Sequence, residues 1–233
     1  MKASEMRRAL ALLAPWRAFT RPVFRGLERI PDTRPLLFVG NHTLWGVLDT
    51  PLLFAELWEQ KGIFLRALGD HAHFEVPIWG AMLRRFGVVD GTRENCARLM
   101  KAGESILVFP GGAREVAKRR GEKYQLFWKE RTGFARMALA HGATIVPFAA
   151  VGAEDALDIV ADADDLMASP LGRLVKRLRV RPEAIPPIVR PRRRERFYFE
   201  IGDPIAAEGT PETLRDLTKA AVEAGIARLL AYR

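Results

Sequence analysis

The sequence predicts an α/β fold, a mainly parallel central sheet flanked by helices. Three observations predict it. Apolar runs of strand length recur at 36–39, 64–68, 106–109, 143–151 and 197–201, and stretches of helical pattern stand between most of them. Parallel neighbours need crossovers of that length, which the intervening stretches supply. Two of the runs end in glycine-containing turns, at Gly40 and at Pro110 to Gly112, the strand ends at which open α/β sheets carry their chemistry.

With 233 residues, 48% of them hydrophobic, the chain can bury one sizeable core. No internal repeat or long linker divides it. The expected layout is an N-terminal amphipathic, membrane-proximal helical segment over 1–30 and a single domain over 31–233. A formal net charge of +9 points to polyanionic surroundings: nucleic acid, an anionic membrane surface or the phosphates of coenzyme A. The single cysteine, Cys96, excludes an intrachain disulfide framework, suits a reducing compartment and reads as packing rather than nucleophile.

From the start of the chain, residues 4–19 set Arg7, Arg8 and Arg17 against Met6, Leu10, Leu12, Leu13, Trp16 and Phe19 at helical spacing, with breaks expected at Pro15 and Pro22. The apolar run is too short to span a bilayer or to act as a signal peptide. Two readings stay open for it: a helix lying in the membrane interface, or an amphipathic helix packed on the domain. Residues 26–35 read as a short strand and turn leading into the strand at 36–39. A helix follows at 51–62, with Leu52, Leu53, Ala55, Leu57 and Trp58 crowding one side. Then come a strand at 64–68, a loop at 69–77, a short helix at 78–85, a strand and turn at 86–94 and a crossover helix at 95–103. The loop holds Asp70, His71, His73 and Glu75, which do not form the convergent set a zinc site needs, so no metal is expected.

Residues 115–128 interleave Lys118, Arg119, Arg120 and Lys123 with Tyr124, Phe127 and Trp128. Such a mixture can stack on single-stranded nucleic acid, but no nucleic-acid module surrounds it, and a donor phosphate or lipid head group serves as well. Further on, 132–141 is helical, 143–151 a strand, 155–165 an acidic loop or helix, 171–181 a basic amphipathic helix and 182–191 a proline-rich extended stretch. Arg190, Arg192, Arg193, Arg194 and Arg196 precede the strand at 197–201. They are either a solvated face or a patch for anionic lipid. The final helix spans 211–232.

Chemistry concentrates in two turns. In the first, His42 with Asp49 downstream suits a general base whose imidazole is oriented by a carboxylate. No nucleophile elbow accompanies it, so such a base would activate a substrate hydroxyl. The other reading is a turn-capping histidine and a solvated helix residue. In the second, Phe109-Pro-Gly-Gly-Ala-Arg-Glu115, the glycines leave backbone N–H groups open to a developing oxyanion, and a guanidinium follows for an anion.

An Asn-His with a downstream Asp and a Phe-Pro-(Glu or Gly)-Gly-x-Arg turn resemble the marks of the lysophospholipid and diacylglycerol acyltransferase superfamily, the PlsC-like proteins. The form Phe-Pro-Gly-Gly-Ala-Arg-Glu is most similar to its phytyl ester synthase and diacylglycerol-acyltransferase-like branch. The likeness runs on through Gly121 to Trp128 and Gly142 to Phe148, covering about residues 36–155. It implies a glycerol-3-phosphate acyltransferase-like fold and an O-acyltransferase that moves an acyl group from acyl-CoA or acyl carrier protein to the hydroxyl of a neutral lipid or alcohol, with no cofactor beyond that donor.

The same resemblance implies His42 and Asp49 as catalytic residues. As substrate-binding residues it implies Asn41, Arg93 on the head group or donor, Gly111, Gly112, Arg114 on a phosphate or ordering the turn through Glu115, Glu115 itself, and Pro147 near the acyl pocket. Gly111 stands where phosphate-ester acyltransferases usually carry Glu, so a neutral acceptor is favoured over a lysophosphatidate type. A non-catalytic membrane-binding relative is the alternative of another class. The implied partners are donor, acceptor and membrane surface but not nucleic acid, at the cytoplasmic, inner face of a membrane as a peripheral protein. One departure stands out: His42 and Asp49 have six residues between them where the family has four or five. On a regular helix that offset separates the Cα atoms by roughly 10 Å, so direct bonding needs a loop around Gly46.

Overall fold

The Leu36–Gly40 strand (β2) is buried along its whole length, and its alternating side chains feed two different cores. Leu37 and Val39 point to one face of the sheet and Leu36 and Phe38 to the other, the period-two consequence of a pleated strand covered on both sides. The computed structural model describes residues 3–177 and 181–233.

The chain begins with a helix at Ala3–Thr20 (α1) and a strand at Val23–Arg25 (β1), and β2 follows. Next come Thr50–Lys61 (α2), Leu65–Gly69 (β3), Ala72–Glu75 (α3), Pro77–Arg85 (α4), Val89–Asp90 (β4), Arg93–Lys101 (α5) and Ser105–Val108 (β5). Beyond them lie Ala113–Val116 (α6), Gly133–His141 (α7), Thr144–Val151 (β6), Leu157–Ala161 (β7), Ala163–Ala168 (α8) and Gly172–Arg177 (α9). Ile188–Pro191 (β8), Tyr198–Ile201 (β9) and Pro211–Tyr232 (α10) complete it.

Seven strands form one sheet in the order β1-β9-β6-β2-β5-β3-β4. All neighbours are parallel except β6 and β9, so the expected mainly parallel sheet is present with one antiparallel joint. Residues of α5, α7 and α10 fill the core on one face, and α2 covers the other with Ile30, Phe148 and Phe197. Gly225 lets α10 press on β6, since a Cβ there would stand 2.9 Å from that of Ala149.

Several expectations are corrected. Pro15 does not break α1, which runs through it because Met6, Leu13 and Trp16 face the protein and Arg17 bridges Glu56 and Glu59 of α2. Trp16 Nε1 also donates to the Leu48 carbonyl at 2.7 Å, so α1 packs on the domain as well as exposing Leu12 and Phe19. The boundary at residue 30 cuts a sheet, because β1 pairs with β9. Residues 27–29 form a 3-10 turn, and the 69–77 loop contains α3. The acidic stretch at 155–165 hides a strand, β7, which pairs with β8 in a separate two-stranded ribbon. Part of the basic helix expected at 171–181 lies outside the described residues.

Candidate active site

β2 and β5 run side by side with Val39 opposite Val108, so the chain leaves both strands at the same sheet edge and the two motif turns meet there. The His42 imidazole lies flat on the Phe109 ring, centroids 3.9 Å apart and planes within 10°. Phe109 in turn meets Phe148 of β6 nearly edge-on at 6.0 Å. After His42 the chain is looped rather than helical. Trp45 and Gly46 both have positive φ, Gly46 N–H donates to the Thr43 carbonyl at 3.0 Å, and α2 begins only beyond Asp49.

The loop brings Asp49 into the interior, but no hydrogen bond joins it to His42. Instead His42 Nδ1, Thr43 Oγ1 and Asp49 Oδ1 are all buried without a partner among the described residues. Burial drives the His42 imidazole down to about 3, helped by the Lys118 ammonium and by His73, so it is a neutral base at physiological pH. Burial pushes the Asp49 carboxyl the other way, up to about 6.

The second turn is held from within. Gly112 has φ +52, a conformation glycine adopts readily, and its N–H donates to the Phe109 carbonyl at 3.0 Å. That N–H is therefore spent on the turn, which corrects its expected oxyanion role. The Gly111 N–H has no acceptor among the described residues. Arg114 is committed as well: its guanidinium pairs with Glu122 and stands over the Phe127 ring at 4.0 Å. It orders the turn through Glu122 rather than Glu115. Glu115 is fully buried, accepting the His42 N–H at 2.8 Å and the Phe127 N–H at 2.9 Å. It contacts the turns and not an open surface.

Asn41 is buried and splices β2 to β6, donating to the Ala150 carbonyl at 2.9 Å and accepting the Ala150 N–H at 2.8 Å. A substrate-contacting role does not fit that geometry. Pro147 is likewise interior to β6, opposite Val39, where its carbonyl accepts the Gly202 N–H at 2.8 Å. Arg93 is exposed at the start of α5. Nearby Asn95 and Arg98 line an open cleft of about 620 Å3 with Arg66, His71, Phe74 and Arg84.

The basic-aromatic segment at 115–128 is largely neutralised by the acidic stretch after β6. Arg119 pairs with Asp164, Arg120 with Asp165, and Lys123 and the Tyr124 hydroxyl with Asp155. His71 pairs with Asp90 at 2.8 Å, and among the described residues no group of three or more His, Cys, Asp or Glu is placed to hold a metal ion. Cys96 is a core residue whose thiol burial pushes up to about 11.

Sequence reasoning missed Phe109 as the surface under the imidazole, although the motif contains it. It also missed Lys118, grouped with the basic residues open to a phosphate or head group and in fact 2% exposed. A buried charge has no local sequence signal, because its partners lie far along the chain.

The family model described as "Acyltransferase" matches residues 21–151, more than half of the chain. Phytyl ester synthase 1, chloroplastic, of Arabidopsis thaliana is 34% identical over 91% of this chain and 34% of its own length. Phytyl ester synthase 2 of the same plant is 31% identical over 85% of this chain and 31% of its own length. The chain thus spans about a third of these relatives. The human "DGAT1/2-independent enzyme synthesizing storage lipids" is 32% identical over 52% of this chain and 37% of its own. In fold, the chain is similar to the 1-acyl-sn-glycerophosphate acyltransferase PlsC of Thermotoga maritima, with TM-score 0.60, 17% identity and coverage of 99% of this chain and 84% of that one. The chain belongs to the Acyltransferase family and is similar to its phytyl ester synthases.

Proposed function

We propose that the protein is an O-acyltransferase carrying an acyl group from a thioester of coenzyme A or acyl carrier protein to the hydroxyl of a neutral lipid or long-chain alcohol. The observation that carries this reading is the half-buried, neutral His42 imidazole, its Nδ1 buried and unpaired, stacked on Phe109 at the meeting of the two turns. A neutral imidazole is a base without being a charge.

In the proposed reaction His42 takes the proton of the acceptor hydroxyl as its oxygen attacks the thioester carbonyl. The tetrahedral oxyanion is met by the free Gly111 N–H, and the carbon–sulfur bond then breaks. The proton on His42 passes to the departing thiolate, so ester and thiol form and the base is regenerated. Asp49 supplies the carboxylate that balances the transient imidazolium, through space or through a shift of the Gly46 loop.

Internal pairing of Arg114 supports a neutral acceptor, since the guanidinium of the turn is not offered to a phosphate. The cleft beside α4 and α5 offers Arg84 and Arg98 to donor phosphates, while its Arg66 pairs with Glu104 and its other side carries Glu75 and Asp90. A peripheral place at the inner face of a membrane is part of the reading. No helix among the described residues is long and apolar enough to cross a membrane, while Ile78 and Met82 on α4 and Leu12 on α1 are exposed.

The test is thiol release from long-chain acyl-CoA and acyl carrier protein by the purified protein, alone and with diacylglycerol, long-chain alcohol or lysophosphatidate, beside His42→Ala. Release that needs a neutral alcohol and His42 is expected. Release only with lysophosphatidate would move the protein to the runner-up acceptor class, and none with any pair would make it a membrane-binding relative without turnover.

A further inference from the structure

We propose that Glu115 and Lys118, with Glu154 behind Lys118, are positioning residues that clamp both polar groups of the His42 peptide and so hold its imidazole against Phe109. The inference rests on the reading of His42 as the base.

Glu115 Oε2 accepts the His42 N–H at 2.8 Å, and Lys118 Nζ donates to the His42 carbonyl at 2.9 Å. The second oxygen of Glu115 takes the Phe127 N–H at 2.9 Å. Lys118 also donates to Glu154 Oε1 at 2.5 Å, and Glu154 Oε2 accepts the Tyr124 N–H at 2.7 Å. Glu115, Lys118 and Glu154 are 0%, 2% and 1% exposed. The clamp ties together the chain just past the ends of β2, β5 and β6, three adjacent strands.

Stability alone does not explain it. Taking charges out of water costs several kcal/mol per ion, and well-packed apolar residues of the same volume commonly do as well or better. What charges provide that leucines cannot is a fixed orientation for a polar backbone. The turn is also built around the acid. A Cβ on Gly111 would stand 2.0 Å from the Glu115 carboxyl carbon, so Glu115 fills the space that a side chain at 111 would take.

Lys118 has an electrical effect as well as a mechanical one. The charged or titratable groups around His42 are Lys118 and Glu115 from the second turn, Glu154 after β6, His73 from α3 and Asp49 from the loop. Lys118 is held at the His42 backbone by its bond to the carbonyl, and its charge disfavours a proton on the imidazole.

The experiment compares wild type with Glu115→Gln, Lys118→Met and the double variant Lys118→Met/Glu154→Gln, which removes the ion pair without stranding one charge. Melting curves show which variants fold. Two readouts follow: kcat and KM for acyl transfer across pH, and the His42 ring signal by NMR of 13C-labelled protein. The expected result is a folded double variant with kcat at least tenfold lower, KM for the donor within twofold, and a His42 that titrates at higher pH with a broadened ring signal. Glu115→Gln should lower kcat without moving the titration upward as Lys118→Met does.

A folded variant with wild-type kcat and an unchanged ring signal overturns the clamp. Should Lys118→Met or the double variant not fold, Glu115→Gln, which keeps size and shape, decides by the same two readouts. If wild type itself shows no acyl transfer, the proposed function fails, and the ring signal alone decides the clamp.

Discussion

Gly46 sits so close over His42 that a methyl group on its Cα would stand 2.0 Å from the imidazole Cε1. The ring is therefore enclosed on one side by a glycine and on the other by Phe109. Both contacts come from backbone placement rather than from a hydrogen bond to the ring. Gly46→Ala adds strain at φ +62 and a collision that the ring can relieve only by swinging off Phe109. It should lower kcat by at least 10²-fold while costing on the order of 1–3 kcal/mol of stability, read by acyl transfer and by denaturant melts. Retention of more than a tenth of the activity would contradict this packing.

Asp49 is a buried acid with an unpartnered oxygen, and its carboxyl sits at about 6 rather than 3.8. Its folded-state value is raised, so ionisation costs stability above pH 6 and the cost disappears as pH falls toward 3.8. Asp49→Asn should therefore stabilise the protein at pH 7.5, by about 3 kcal/mol at most, and make it relatively more sensitive to acid. The same change should cut turnover, because the carboxylate opposite a transient imidazolium is gone. A variant that is both less stable at pH 7.5 and fully active would refute the assignment.

His42 carries the opposite linkage. Its value is lowered from 6.5 to about 3, so the unfolded chain takes up a proton below pH 6.5 that the folded one refuses. Stability is lost progressively as pH falls from 6.5 to 3, by up to about 4 kcal/mol from this group. His42→Gln should flatten that loss in urea melts between pH 7 and 4. An unchanged slope would mean that the imidazole is not held neutral by the fold.

The exposed apolar residues of α4 and α1 give a prediction about surfaces. Ile78 and Met82 lie one helical turn apart on α4, and Arg85 near its end pairs with Glu5 of α1, the helix that exposes Leu12. Ile78→Asp with Met82→Asp should weaken co-sedimentation with anionic phosphatidylglycerol vesicles at least tenfold and leave turnover of a detergent-dispersed acceptor within twofold. Equal sedimentation of variant and wild type would locate any membrane contact elsewhere.

Much of this architecture was legible from the chain alone. Apolar runs at 36–39 and 143–151 and the helix at 51–62 announced themselves by period and by glycine or proline at their ends, because those signals are local. The β7 strand was not legible, since Leu157–Ala161 carries an aspartate and gains its strand character from pairing with β8 some thirty residues later. The two turns, far apart in sequence, do meet at one edge of the sheet. The roles inside them were less legible: Asn41 and Glu115 read as substrate contacts, while their partners, Ala150 and the backbone of His42 and Phe127, became visible only in three dimensions. Likewise the charge on 118–123 looked like a patch because its acidic complement begins at Glu154.

The Asn41 bonds to Ala150 join residues 109 apart in the chain, and the pocket around His42 needs both ends. Closing so long a loop is entropically costly and slow, so this part of the fold belongs to the late, non-local stage of assembly. Helical signal should return early in refolding, and transfer activity should lag behind it until β6 docks on β2. Turnover is then a clock for the last step of folding. A variant that regains its helices but never its activity points to a fault in that docking, wherever in the chain its substitution lies.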